Sequence, residues 1–83
     1  MPYILQSRRK ELELHSEKLA ATPGELNFQF TRIAIQYFKA AEAGNYQAIN
    51  DILGAFEGAK SEFYRRIAAP YENEKCMDNG DVY

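Results

Sequence analysis

The sequence contains no tryptophan, one cysteine and one histidine among its 83 residues. The lone Cys76 has no second cysteine with which to form an intrachain disulfide, and no Cys or His residues are paired at the spacing of zinc ligands. We therefore expect neither a disulfide scaffold nor a metal site. A domain this short buries only about 60% of the surface that its unfolded chain exposes, so its margin of stability is thin.

Long apolar runs are also missing. No run approaches the roughly 18 to 20 residues of a membrane span, and residues 1–6 lack the basic-then-apolar order of a secretory signal. We therefore expect a cytoplasmic protein with no membrane partner. The net charge of −2 gives no general attraction to nucleic acid, which disfavours a nucleic-acid partner. The basic residues are nevertheless clustered, at 8–10 and at 60–66, so local anion binding stays open.

The usual catalytic constellations are absent as well. His15 lies in a charged stretch typical of a solvated helix position, and Cys76 has no base or orienting group near it in sequence. No glycine-rich phosphate loop is present. We predict a protein that is not an enzyme, with no catalytic residues and no cofactor. The alternative is a site assembled between subunits, which spacing arguments cannot detect.

What the sequence does contain is helical periodicity. Apolar residues recur at spacings of three and four after Thr22-Pro23-Gly24-Glu25, which places a cap, a proline and a glutamate in the order that starts a helix. Gly44 favours an end to that helix, Asn45 can cap the next one, and Pro70 disfavours its continuation. We predict one all-α domain over residues 1–83, with a short helix at about 7–21, an antiparallel pair of long helices at 23–43 and 46–69, and an extended tail at 70–83.

The aromatic content predicts self-association. Six Tyr and five Phe make up 13% of the chain, which is rich for a small domain that must keep water off large side chains. Phe28 and Ile35 lie off the main apolar face of their helix and form a second strip that one partner helix cannot cover. We therefore expect a homo-oligomer that completes the fold.

Two glycines inside the third predicted helix indicate a close approach. Gly54 and Gly58 are four residues apart, and each costs the helix roughly 1 kcal/mol relative to alanine. Tight packing of another helix, from the same chain or from a symmetry mate, is one explanation. A ligand lying against exposed backbone is the other.

Polar residues on the same helix suggest a ligand site. Lysine 60 interrupts the apolar stripe, tyrosine rings offer stacking surfaces, and arginine forks bind phosphate or carboxylate in two-point contacts. The predicted ligand-binding residues are Asn50, Glu57, Lys60, Ser61, Tyr64, Arg65, Arg66 and Tyr71.

Each of these cations also has an ordinary structural explanation. Lys60 could extend its stem along the core edge and pair with Glu57. Arg65 and Arg66 could form i,i+4 pairs with Ser61 and Glu62, and cations suit the end of a helix.

The sequence also resembles a known family. The similarity rests on the opening residues 1–4, on the segments 24–28, 46–50 and 57–66, on Pro70-Tyr71-Glu72, and on the closing Asn79-Gly80-Asp81-Val82-Tyr83. It resembles small proteins of phages and bacteria that typically open with Met-Pro-Tyr-Ile and close with Asn-Gly-Asp-Val-Tyr. The resemblance covers nearly the whole chain and is loose over residues 6–22. The family carries no function that could be transferred.

The resemblance implies a phage or mobile-element context, and for a phage-encoded protein the compartment would be the host cytoplasm. By analogy with small oligomeric phage proteins that sequester nucleotide immune signals, we expect a non-enzymatic protein that binds an anionic, nucleotide-type ligand. The alternative is a protein-interaction module that inhibits or scaffolds a host or phage protein through the Phe28 and Ile35 strip or through the Val82-Tyr83 end.

Overall fold

The computed structural model describes residues 1–13, 18–41 and 45–83, and the regular structure in these ranges is entirely helical. The predicted all-α class is confirmed. Helix α1 spans Gln6–Glu11, α2 spans Pro23–Ala40 and α3 spans Asn45–Phe63. A π-helical turn, Tyr64–Ala68, follows α3 directly and leads into α4, Ala69–Asn79. No helix in these ranges is both long and apolar enough to cross a membrane.

Helix α2 begins where its capping residues predict. The Thr22 hydroxyl accepts a hydrogen bond from the backbone N–H of Glu25 at 3.2 Å, and Pro23 occupies the first turn. The Glu25 carboxylate in turn accepts from the backbone N–H of Ala21 at 2.9 Å. The first bond satisfies a donor that the first helical turn leaves unpaired, and the second ties the residue before the cap to that turn. The helix ends at Ala40, and the predicted stop at Gly44 lies outside the described residues.

Helix α1 is shorter than the predicted helix over 7–21. It ends at Glu11, and residues 12–13 and 19–21 are not helical, so the prediction is wrong at those positions, while residues 14–17 lie outside the described residues. The physical reason is that Leu12 and Leu19 are largely exposed and so contribute little packing to hold a helix. A short helix depends on tertiary packing, and helix-favouring composition alone does not sustain it.

The predicted tail from residue 70 is also wrong, because Pro70 does not end the helix. An α-helical proline lacks an N–H and clashes with the carbonyl four residues back. The π turn avoids that geometry: the backbone N–H of Ala69 donates to the carbonyl of Tyr64, five residues back. The helical rod continues to Asn79 and ends at Gly80, whose φ of 91° favours glycine. Only residues 80–83 are extended.

Helices α2 and α3 contact each other and enclose very little. Phe30 of α2 meets Phe56 of α3 edge to face, with ring centres 6.3 Å apart. Among the described residues only Ala48 is buried, with 4% of its surface exposed. The molecule measures 51 × 32 × 29 Å, so the helices form an open frame around an apolar groove.

Candidate functional site

A large groove lies between α2 and α3, which we call the central groove. It has a volume of about 960 Å³ and is lined mainly by aliphatic and aromatic side chains from both helices. Five of the lining side chains are charged or carry a hydroxyl group. The lining residues are Leu26, Phe30, Ile33, Ala34, Tyr37, Asp51, Ile52, Ala55, Phe56, Glu57, Ala59, Lys60, Phe63, Tyr64 and Ala68.

Three of the predicted ligand residues, Glu57, Lys60 and Tyr64, line this groove. The Lys60 ammonium lies 3.8 Å from a Glu57 carboxylate oxygen, and 78% of the Lys60 side chain is exposed. Lys60 therefore lies at the rim of the groove, and the contact with Glu57 is the one that its structural explanation predicts. An ion pair this exposed holds its partners weakly, so the ammonium can bind another anion.

Arg65 belongs to a different cluster, which we call the Tyr3 cluster: Tyr3, Glu62 and Arg65. The Arg65 guanidinium donates to Glu62 Oε1 at 2.5 Å, and the Tyr3 hydroxyl donates to the same oxygen. Arg65 also lies 3.4 Å from the Tyr3 hydroxyl. Only 24% of the Glu62 side chain is exposed, which makes it the most enclosed charge among the ion-paired residues described. This cluster fastens the first residues of the chain to the C-terminal helical rod.

The electrostatics of the Tyr3 cluster favour its charged form. The hydrogen bond from Arg65 lowers the pKa of Glu62 below its ordinary value, and the bond from Tyr3 lowers it further. The same hydrogen bond to Glu62 raises the pKa of Arg65. The carboxylate and the guanidinium are therefore both ionised at neutral pH and committed to each other.

The close approach predicted at Gly58 comes from the start of the chain. A Cβ added at Gly58 would lie 3.4 Å from the Met1 nitrogen, whereas one added at Gly54 would meet nothing within 4 Å. The two explanations for a close approach were a packed helix and a ligand. At Gly58 the approaching group is neither of these, because it is the start of the same chain. At Gly54 the single chain leaves the backbone open.

Tyr64 is held from the far side of the π turn. Its hydroxyl donates to a Glu72 carboxylate oxygen at 3.0 Å, and that bond raises the pKa of Tyr64. In an α-helix two turns take about seven residues, so residues eight apart fall off one line. The extra residue of the π turn brings Tyr64 and Glu72 onto the same face.

The other predicted ligand residues are not gathered at the groove. The Lys75 ammonium lies 5.7 Å from the centre of the Tyr71 ring, a cation–π distance one helical turn away. Glu62 pairs with Arg65 and not with Arg66 as the i,i+4 pattern suggested. Within residues 1–13, 18–41 and 45–83, Arg66 forms no ion pair. The predicted residues outside the groove lining are Asn50, Ser61, Arg65, Arg66 and Tyr71.

Tyr3 and Glu72 are the contacts that sequence reasoning missed. Tyr3 meets Glu62 across 59 positions, and no local pattern marks such a pair. Glu72 was assigned to an extended tail, where a helical contact with Tyr64 could not be expected. Among the described residues, no group of His, Cys, Asp and Glu side chains could hold a metal ion.

These features define a helical protein with an open apolar groove, one exposed lysine at the rim and a fastened N-terminal segment. The chain belongs to a family described as a domain of unknown function, DUF6899, whose model matches residues 1–82. The predicted membership of a family without an assigned function is confirmed at that level. Comparison with curated proteins finds no match, and comparison with solved structures finds none either.

Proposed function

We propose that this protein is a non-enzymatic binding protein that holds a small anionic ligand of the nucleotide type at the rim of the central groove. The observation that supports this is the placement of Lys60 and Tyr64 beside Phe56 and Phe63 in one groove lining. Aromatic faces stack on a base, and an ammonium attracts a phosphate. The two halves of a nucleotide thus meet complementary chemistry within a few residues.

The two arginines differ in whether they already form an ion pair, and therefore in how readily they could bind a ligand. Arg66 forms no ion pair in the part of the chain that the structure describes, so it can bind a phosphate without breaking an existing contact, but it lies outside the groove lining. Arg65 already donates to Glu62 and contributes to a ligand only if that bond is exchanged. The single-chain groove is open on one side, so the ligand needs a further wall to be enclosed.

We further propose the cellular setting that the sequence suggests. The protein acts in the cytoplasm, in a phage context, where it sequesters a nucleotide signal without converting it. Helices α2 and α3 pair antiparallel, and self-association completes the fold. The sparse burial in the described chain supports the last point, since Ala48 alone is buried there.

Calorimetric titration with a panel of linear and cyclic nucleotides tests the ligand proposal. We expect one class of nucleotide to bind, and Lys60→Gln to weaken it about tenfold or more, because a hydrogen bond to a charged group is lost. Lys39→Gln is the matched control, since Lys39 is an exposed lysine of α2 outside the groove lining. Equal binding by both variants, or no binding by the unmodified protein, would reject the ligand proposal.

A second candidate function is a protein-interaction module, and the exposed apolar end of the chain favours it. Val82 and Tyr83 follow the Gly80 stop and are fully exposed, as is much of Phe28 on α2. Single exposed apolar residues are common on protein surfaces. These residues are therefore evidence for a partner protein only if removing them weakens its binding. We expect a purified partner to lose affinity for a chain truncated after Gly80 and to keep it for Lys60→Gln. The opposite pattern would favour the ligand proposal.

A further inference from the structure

The chain exposes far more surface than a folded monomer of its size. Its accessible area is 7913 Å², about 2,900 Å² above the roughly 5,000 Å² typical of a compact protein of this mass. Its radius of gyration is 16.6 Å, whereas a compact domain of this length has about 12 Å. The helices are formed, but the chain does not provide them with a core.

The missing core corresponds to the central groove. Both of its walls carry large apolar side chains that face open space, among them Ile33 and Tyr37 on α2 and Phe63 on α3. Two thirds of Phe63, 66% of its surface, is exposed. Exposed apolar patches of this extent mark interaction surfaces in soluble proteins.

We propose that a second copy of the chain occupies the central groove, so that two copies bury their grooves against each other as one shared core. This deepens the self-association proposed for the protein and rests on it. The new proposal names the central groove as the surface through which the copies associate. It also implies that a single chain does not stay folded by itself. A symmetric pair uses the same patch on both subunits, and here a single groove provides that patch.

The exposed area identifies the occupant as another copy of this chain. An obligate homodimer covers about 1,000 to 2,500 Å² on each subunit, while a standard interface covers about 800 Å². The excess surface of this chain, about 2,900 Å², is well above a standard interface and is large enough for the obligate class. A chain that has no core alone needs its partner in order to fold, and a second copy is present wherever the chain itself is made.

The proposed site at Lys60 and Tyr64 then lies at the border of the shared core. In the single chain both residues face an open groove. With a second copy in place, the partner provides the wall that encloses the ligand. The ligand can nevertheless fail to bind while the two copies still associate, so the two proposals are separable.

Light scattering on the full chain tests the shared core. We expect a mass of twice 9.5 kDa, and we expect Ile33→Glu and Phe63→Glu to shift it towards a single chain with loss of helical circular dichroism. The matched control is Met77→Glu, which also places glutamate at an exposed apolar helix position, 86% exposed and outside the groove lining. The control should keep the mass of the unmodified protein.

A photo-crosslinking residue in place of Tyr37 gives a second measurement that keeps an aromatic group in the groove, so it does not depend on a disruptive charge. We expect covalent dimers whose crosslinked peptides come from groove-lining residues of the other copy, shown by mixing isotopically light and heavy chains. The same residue in place of Met77 should give none. A monomeric protein, an oligomer insensitive to both groove substitutions, or crosslinks from Tyr37 to peptides outside the groove would each overturn the inference.

Discussion

Lys60 and Arg65 lie five residues apart on one helical rod, yet their surroundings differ. Lys60 has one distant partner, Glu57, at 3.8 Å, and its side chain is mostly in solvent. Arg65 donates at 2.5 Å to Glu62, which also accepts from Tyr3. A ligand would therefore compete with water at Lys60 and with a formed ion pair at Arg65. At the scale of residues, substitution of Lys60 should therefore weaken ligand binding, whereas substitution within the Tyr3 cluster should release the start of the chain.

Glu62→Gln should release the start of the chain from the helical rod. The amide keeps an oxygen for Tyr3 but loses the charge that binds Arg65, so residues 1–5 should become mobile on the nanosecond timescale. Backbone ¹⁵N relaxation measures this directly. Glu57→Gln, which removes a carboxylate from the exposed pair one turn earlier, should leave residues 1–5 unchanged. Unaltered relaxation in Glu62→Gln would show that the Tyr3 cluster does not hold the segment.

Acidification should have the same effect as that substitution. Because the pKa of Glu62 is lowered on folding, its contribution to stability is present above the ordinary value of 4.5 and is lost as the pH falls through the lowered pKa. We expect the Tyr3 ring resonances to move towards random-coil positions below pH 4.5. The pH dependence should be absent in Glu62→Gln, which has no carboxylate to protonate at this position.

Gly54→Ala reports on what approaches α3. In the single chain the added methyl group meets nothing, so we expect a gain of roughly 0.5 to 1 kcal/mol in the free energy of unfolding from helix propensity. Gly58→Ala should gain less, because its methyl group would lie 3.4 Å from the Met1 nitrogen. Thermal denaturation of both variants measures the difference. Destabilisation by Gly54→Ala would instead indicate a second copy packed against that glycine.

At the scale of elements, the π turn at Tyr64–Ala68 decides how the C-terminal half of the chain is used. It lets Pro70 lie within a helical rod that continues to Asn79, and it aligns Tyr64 with Glu72. Single π turns inside α-helices are rare overall, but those that occur are often found at functional sites. Here the turn also carries the paired arginines, Arg65 and Arg66, and adjoins the groove lining at Tyr64 and Ala68.

Pro70→Ala should allow the rod to return to α-helical geometry. That change would rotate Glu72 away from Tyr64, so we expect the raised pKa of Tyr64 to fall towards its ordinary value of 10.0. Selective ¹³C labelling of tyrosine followed by an NMR titration resolves this residue from the other five. Glu72→Gln is the reference, since it removes the same charge while the proline remains. A Tyr64 pKa that stays raised in Pro70→Ala would show that the π turn does not depend on the proline.

Local signals explain which elements could be predicted from the sequence. The predicted start of α2 is confirmed because its signals, Thr22, Pro23 and Glu25, act within one helical turn. The predicted tail is wrong because the rule that proline ends a helix assumes α-helical geometry, and the π turn before Pro70 departs from that geometry. The Tyr3 cluster escaped prediction because it joins residues 59 positions apart, and only the folded path of the chain brings them together. Among the predicted ligand residues of this helical rod, Glu57, Lys60 and Tyr64 line the groove, whereas Asn50 and Ser61 do not.

At the scale of the whole molecule, the near absence of burial dominates the energetics. With Ala48 alone buried in the described ranges, hydrophobic stabilisation within one chain is small, while the entropy cost of ordering the backbone is that of any domain of this length. Under the shared-core proposal, stability depends on association through the central groove. Neither the groove nor the proposed shared core could be read from the sequence, because periodicity shows which face of a helix is apolar but not what covers it.

The melting temperature should consequently rise with protein concentration. For a protein that folds as it associates, dilution favours the unfolded chains, whereas a monomer unfolds at the same temperature at every concentration. Circular dichroism melts over a wide dilution series measure this. Met77→Glu should show the concentration dependence of the unmodified protein. A melting temperature independent of concentration in both would mean that each chain is stable alone.

The π turn has one more consequence, for how the rod presents its side chains. One residue more in a single turn offsets the helical phase by about 100°, the rotation of one α-helical step. The apolar stripe of α3 is therefore not continued along α4, although the backbone is unbroken from Asn45 to Asn79. A partner that binds along one row of side chains on α3 therefore cannot follow the same row past Tyr64. The two halves of the continuous helix thus present different faces to a partner, and Arg65 and Arg66 lie where the two halves meet.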